Sequence, residues 1–134
     1  HVDFSMAAGE FVEVYAKAEE RGSWDVVATC YFIDTAKNVL RYLEVINHVL
    51  PVGGWWVNVG PLLWHFEQDR IPSVELTLDE LLSLLAHCGF ELEEQRTLSP
   101  QTYTGVPHSM LAHHYVPEFW VCRKVRHHSM APSV

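Results

Sequence analysis

The sequence predicts an α/β fold in which parallel strands alternate with helices and the chain closes on a terminal antiparallel β-hairpin. Three observations predict it. The run "WDVVATCYFI" is rich in β-branched and aromatic residues without polar alternation, which suits a strand covered on both faces, as in a parallel sheet. A second such run, "WWVNVGPLL", follows after a segment with apolar residues at helical spacing. The last two strand-like runs, "FELEEQRTLS" and "EFWVCRKV", have no helix between them, so they can only pair antiparallel.

Each element has its local reason. "EFVEVYAKAEERG" (10–22) has helical character with alternating charge, and Gly22 is its stop. The first strand is expected at 25–33. In "TAKNVLRYLEVINHVLPVGG", Val39, Leu40, Leu43, Ile46, Val49 and Leu50 form a helical stripe, ended by Pro51 and Gly53-Gly54. Gly60 and Pro61 stop the second strand. After the polar loop "HFEQDRIPS", Thr77 followed three residues later by Glu80 is a capping box. It opens a helix whose stripe is Leu78, Leu81, Leu82 and Leu85 and whose stop is Gly89. "FELEEQRTLS" reads as a strand with one wet face, and "SPQTYTGVPHSMLAHHY" as a loop. The strand at 117–125 closes the fold, antiparallel to its neighbours, between the strands at 55–59 and 90–97. The expected domain is 1–126, with 127–134 a disordered tail.

The totals narrow the function. At 134 residues the chain holds one domain of ordinary size. A formal net charge of -8 argues against non-specific nucleic-acid binding, which needs a basic footprint. No apolar stretch reaches the length of a membrane span, and no signal peptide is visible. Cys30, Cys88 and Cys122 are an odd number set in apolar segments, which reads as reduced, intracellular thiols. Cys30 is expected to be a buried, inert thiol. His108, His113, His114, His127 and His128 do not have structural-zinc spacing, so no metal is expected.

In parallel α/β sheets, ligands bind beyond the carboxyl ends of the strands. Asp34 and His65 lie just past two such ends. From the residues alone, Asp34 reads equally as the cap of the following helix, and His65 as an ordinary loop histidine.

At this point "DVVATCYFIDTA", a helix ending in "LPVGG", "WWVNVGPLLWHF" and "FWVCRK" resemble the C-terminal half of a Rossmann-like class I methyltransferase that uses S-adenosylmethionine. More narrowly, "AGEF", "ATCYFIDTAKNV", "GGWWVNVGPLLWHFE", "ELTLDELL" and "LSPQTYTG" resemble the carnosine N-methyltransferase family, over nearly all of residues 3–124. The resemblance implies methylation of a ring nitrogen of carnosine's imidazole, giving anserine. It implies cofactor contacts from Glu10, Phe11 and Cys30, substrate binding by Asp34, His65 and Tyr115, and catalytic roles for Asp34 and His65. Glu10 departs from the pattern, since the family has aspartate there. Tyr103, His113 and His114 compete with Tyr115. The family's glycine-rich cofactor turn and ribose-binding acid have no counterpart here, so the chain is expected to be the C-terminal half of such an enzyme. The first strand should then present an open edge, inviting association, a homodimer included. Methyl transfer to a protein histidine or another small amine, or a non-catalytic interaction domain lacking the cofactor half, are the competing readings.

Overall fold

The computed structural model describes residues 3–102, 105–106 and 108–128. Its elements in chain order are α1 (Phe11–Tyr15), β1 (Val26–Cys30), α2 (Val39–Val49), β2 (Trp55–Gly60), α3 (Leu78–His87), β3 (Phe90–Thr97) and β4 (Glu118–Lys124). Single 3-10 turns lie at Ala18–Glu20 and Ile33–Thr35. The sheet order is β1-β2-β4-β3. β1 and β2 run parallel, and β4 is antiparallel to both β2 and β3. The last strand is therefore inserted where the sequence placed it, and β1 is an edge.

One face of the sheet carries the core. Trp56 on β2 and Trp120 and Cys122 on β4 are fully buried together with Leu43 and Ile46 of α2 and Leu81 and Leu85 of α3. Trp56 meets Trp120 edge to face with ring centroids 5.6 Å apart, an arrangement that aromatic quadrupoles favour. The indole N–H of Trp56 donates to Thr29 Oγ1 (2.9 Å), and that hydroxyl donates to Asn58 Oδ1 (2.7 Å), linking β1 to β2 beneath the core.

α2 is held at both ends. Asn38 is its N-cap, the side chain accepting from the Leu40 N–H at 3.0 Å. At the other end, where a helix leaves carbonyls unpaired, those of Asn47, His48, Val49 and Leu50 find donors. Gly22 and Trp24 donate to the His48 and Val49 carbonyls, each at 3.0 Å. The buried Lys124 ammonium donates to the Asn47 and Leu50 carbonyls, each at 2.6 Å. Burial, and secondarily the charge of Arg21, pull the Lys124 pKa down to about 8. Asn47 in turn binds the Cys88 and Arg126 carbonyls and the His128 N–H. His127 contacts Lys124 at 2.9 Å, so the first two residues of the expected tail are tied down. α3 has the expected capping box, with Thr77 N–H on Glu80 Oε2 at 2.8 Å and Glu80 N–H on Thr77 Oγ1 at 3.3 Å.

Three expectations need correction. The helix expected over 10–22 stops at Tyr15. Beyond it, Lys17 is extended and its carbonyl lies 2.8 Å from His48 Nε2, so anchoring to the end of α2 outweighs the local helical character. β1 ends at Cys30, and it is not covered on both faces: Val26 is 53% exposed, and Ala28 and Cys30 are exposed. Cys30 is thus not the buried thiol the apolar run suggested. β3 is wet on both faces, with Phe90 alone buried. Among the described residues no helix is long and apolar enough to cross a membrane.

Candidate active site

Everything at the carboxyl end of the parallel pair follows from how β1 stops. Tyr31 takes a left-handed backbone conformation (φ 50), unusual for a bulky residue. Its N–H still donates to the Val59 carbonyl at 2.8 Å. The neighbouring position on β2 is Gly60, where a Cβ would stand 3.0 Å from the Tyr31 backbone N and Cα. Only glycine lets the two strand tips come this close. The turn after Tyr31 then swings Ile33 and Asp34 inward.

Asp34 is 3% exposed. It does not cap α2, since Asn38 does. Its Oδ2 instead accepts from the Leu63 N–H at 2.9 Å, and its main-chain carbonyl accepts from the His65 N–H at 3.3 Å. Burial pushes its pKa up from the ordinary value. The Leu63 N–H, its own backbone and the nearby His65 oppose that, each more weakly. The loop that carries His65 is stitched further along. Lys37 bridges to Asp69 at 2.7 Å and stands 5.3 Å from the Phe66 ring centroid, and the Val74 N–H donates to the Lys37 carbonyl at 3.0 Å. Asp34 and His65 are thereby brought together, with the His65 side chain exposed.

Tyr115 joins them through Tyr31: the two rings meet edge to face at 6.0 Å. Its backbone exchanges two hydrogen bonds of 2.8 Å with Gln101, pinning the two ends of the intervening loop. Tyr103 lies outside the described residues, while His113 and His114 are exposed.

Phe11 and Cys30 line one apolar cleft of about 540 Å3 that runs along the open side of β1, with Trp24, Val26 and Phe32 among its walls. Phe11 is fixed there by Phe32 and Tyr42, at centroid distances of 5.1 and 5.0 Å. Only the end of the cleft near Phe11, Phe32 and Cys30 lies at the carboxyl side of the strand. Glu10 stands apart: it is exposed, and its carboxylate caps α1 through the Glu13 N–H at 2.8 Å. Tyr31 and Gly60 are the site residues that sequence reasoning missed. The pair of a strand-end glycine and an aromatic one position past the facing strand was the available signal.

Comparison with solved structures defines the fold. A S-adenosylmethionine-dependent methyltransferase from Methanosarcina mazei superposes with a TM-score of 0.55 at 17% identity, covering 78% of this chain and 61% of that one. The antibiotic-resistance methyltransferase Kmr gives a TM-score of 0.52 at 16% identity, over 81% of this chain and 56% of its own. The fold is that of S-adenosylmethionine-dependent methyltransferases. The family model for carnosine N-methyltransferase matches residues 1–126. Carnosine N-methyltransferase of Schizosaccharomyces pombe is 47% identical over 131 residues, covering 90% of this chain and 35% of the relative. That of Rattus norvegicus is 42% identical over 123 residues, covering 91% and 30%. The chain belongs to the carnosine N-methyltransferase family, and it spans about a third of the length of these relatives.

Proposed function

We propose that this chain is the C-terminal part of an S-adenosylmethionine-dependent N-methyltransferase that methylates an imidazole nitrogen of carnosine, giving anserine, or of a related histidine dipeptide. The family match supports the activity, carnosine N-methyltransferase being what the relatives are named. One observation carries the site assignment: in a chain of this family, a carboxylate that caps no helix is kept buried at the tip of a parallel strand.

The chemistry suits these residues. A neutral imidazole has one donor and one acceptor nitrogen, and is mostly neutral near pH 7. Asp34 accepts the ring N–H, which fixes the tautomer and leaves the other nitrogen's lone pair free. As the ring gains positive charge, the carboxylate stabilises it, and its burial strengthens that interaction. The main-chain bond from His65 to Asp34 places the histidine beside the carboxylate, where it orients the ring or takes the released proton through water. Tyr115 and Tyr31 offer ring faces and hydroxyls to close the pocket. The cofactor supplies the methyl group on a sulfonium. The apolar end of the cleft at Phe11 and Cys30 fits a flat heterocycle, and Glu10, which takes the Glu13 N–H on Oε2, keeps further carboxylate acceptor sites for an adenine amine. Positioning of two bound reactants accounts for most of the acceleration. The same reading puts the protein in the cytoplasm and nucleus.

The test is methyl transfer by the full-length protein that carries this chain. It should methylate carnosine on the ring and bind S-adenosylmethionine by calorimetry, while residues 1–134 alone should bind none. Methylation of histidine-containing proteins but not of carnosine would point to the protein-histidine reading. No cofactor binding by the full-length protein would mean a non-catalytic domain.

A further inference from the structure

A second acid stands at the same end of the sheet, and nothing described so far uses it. Glu118, at the start of β4, is 6% exposed and pairs in register with Gly60 at the tip of β2. Its Oε1 accepts from Gln95 Nε2 at 2.6 Å, a neutral partner. Among the described residues no cation is within ion-pair distance of it. Buried carboxylates are ordinarily matched by a cation, because desolvating the charge is costly. The N-terminus of α3 lies close by through Thr77, yet a helix end supplies only a partial positive charge.

Glu118 lies in the wall of an open groove of about 440 Å3, with Gly60, Leu62, Trp64, Thr77 and Val116 also lining it. That groove adjoins the candidate active site at two points of the chain. Trp64 directly precedes His65, and Val116 directly follows Tyr115. Asp34 sits beyond β1 and Glu118 on β4, two strand spacings away across β2, or roughly 10 Å. An extended dipeptide covers roughly 7 Å of backbone and more with its side chain. One small molecule can therefore reach both acids.

We propose that this groove is the subsite for the free amino end of the substrate, with Glu118 receiving its primary ammonium while Asp34 holds the imidazole. The inference rests on the methyltransferase reading and deepens it. It makes Glu118 the residue that selects an imidazole bearing an ammonium arm over one without. Trp64, Leu62 and Val116, which also line the groove, provide apolar surface for the methylenes between the two charged ends.

The experiment compares carnosine with N-propanoyl-histidine, the same molecule without its amine, as substrates of the full-length protein and its Glu118→Gln variant. Glutamine keeps an acceptor oxygen for Gln95 but loses the charge. For the wild type, KM should be roughly tenfold higher for N-propanoyl-histidine, with kcat within about twofold, as expected for losing one charge-assisted bond. Glu118→Gln should raise the carnosine KM by the same factor and leave the N-propanoyl-histidine KM unchanged. A structural role alone would shift both substrates equally, and that result overturns the proposal. Should the variant fail to fold, the wild type decides: equal KM values for the two substrates overturn it, and the tenfold difference upholds it. Turnover of neither substrate by the wild type would be a failure of the underlying reading instead, since the Glu118 comparison requires a working enzyme.

Discussion

β4 and β1 are both apolar-rich strands in one sheet, and the chain treats them oppositely. β4 lies between β2 and β3 and alternates strictly, with Glu118, Trp120, Cys122 and Lys124 buried on the helix-covered face. β1 has one neighbour, and apart from Thr29 none of its residues is buried. The difference teaches that an apolar run states what a strand needs, while the surrounding chain decides how much of that is supplied. β4 receives it here in full. β1 receives a partner on one side and a cleft on the other, the pattern expected of a strand whose second neighbour lies elsewhere in a longer protein.

The comparison can be broken or sharpened by mutation. Trp120→Ala in the closed region should cost about 3–5 kcal/mol, the range for removing a large buried aromatic, measured as a shift of the denaturant midpoint. A cost below about 1 kcal/mol would mean that the β4 core is not packed as described. Lys124 gives a pH test of the same region. Its folded pKa of about 8 lies below that of a solvated lysine, so between those values the unfolded state binds more protons and stability rises with pH. Measured against Lys124→Met, the wild type should be flat below about pH 8 and gain stability from there toward about pH 10.4. A flat profile across that window, with stability lost only above about pH 10.4, would mean that the two carbonyl bonds hold the proton more strongly than burial expels it.

Asn38→Ala should cost roughly 1 kcal/mol, as a lost N-cap does, with Asn38→Asp nearly neutral; thermal melts of both check it. The smallest effect belongs to the open edge. Val26→Ser should change the stability of this chain by no more than about 0.5 kcal/mol, an ordinary surface substitution. In the full-length protein the same change should cost clearly more. Equal, small costs in both would mean that β1 remains an open edge there too.

Much of this was legible in the sequence. The strand runs, the stripes of α2 and α3 and the Thr77–Glu80 box follow from periodicity and capping chemistry that act locally. What was not legible depends on long-range competition. The sequence offered Asp34 as the α2 cap, whereas in the structure Asn38 caps the helix and the β2 loop claims the Asp34 carboxylate through Leu63. The exposure of Cys30 depends on what covers β1, and a single apolar run carries no information about that. The left-handed Tyr31 stands against Gly60, whose missing side chain admits the close approach, a contact between residues far apart in the chain.

The central claim is that Asp34 serves the substrate and not the helix, and Asp34→Asn in the full-length protein tests it most directly. Asparagine keeps the size and an oxygen for the Leu63 N–H, so the thermal midpoint and S-adenosylmethionine affinity should stay near those of the wild type. Turnover of carnosine should fall on the order of a hundredfold or more, as when one electrostatic stabiliser is removed from an active site. Normal turnover by Asp34→Asn, with at most a small loss of stability, would contradict the account and leave Asp34 as a structural tie between the ends of β1 and β2.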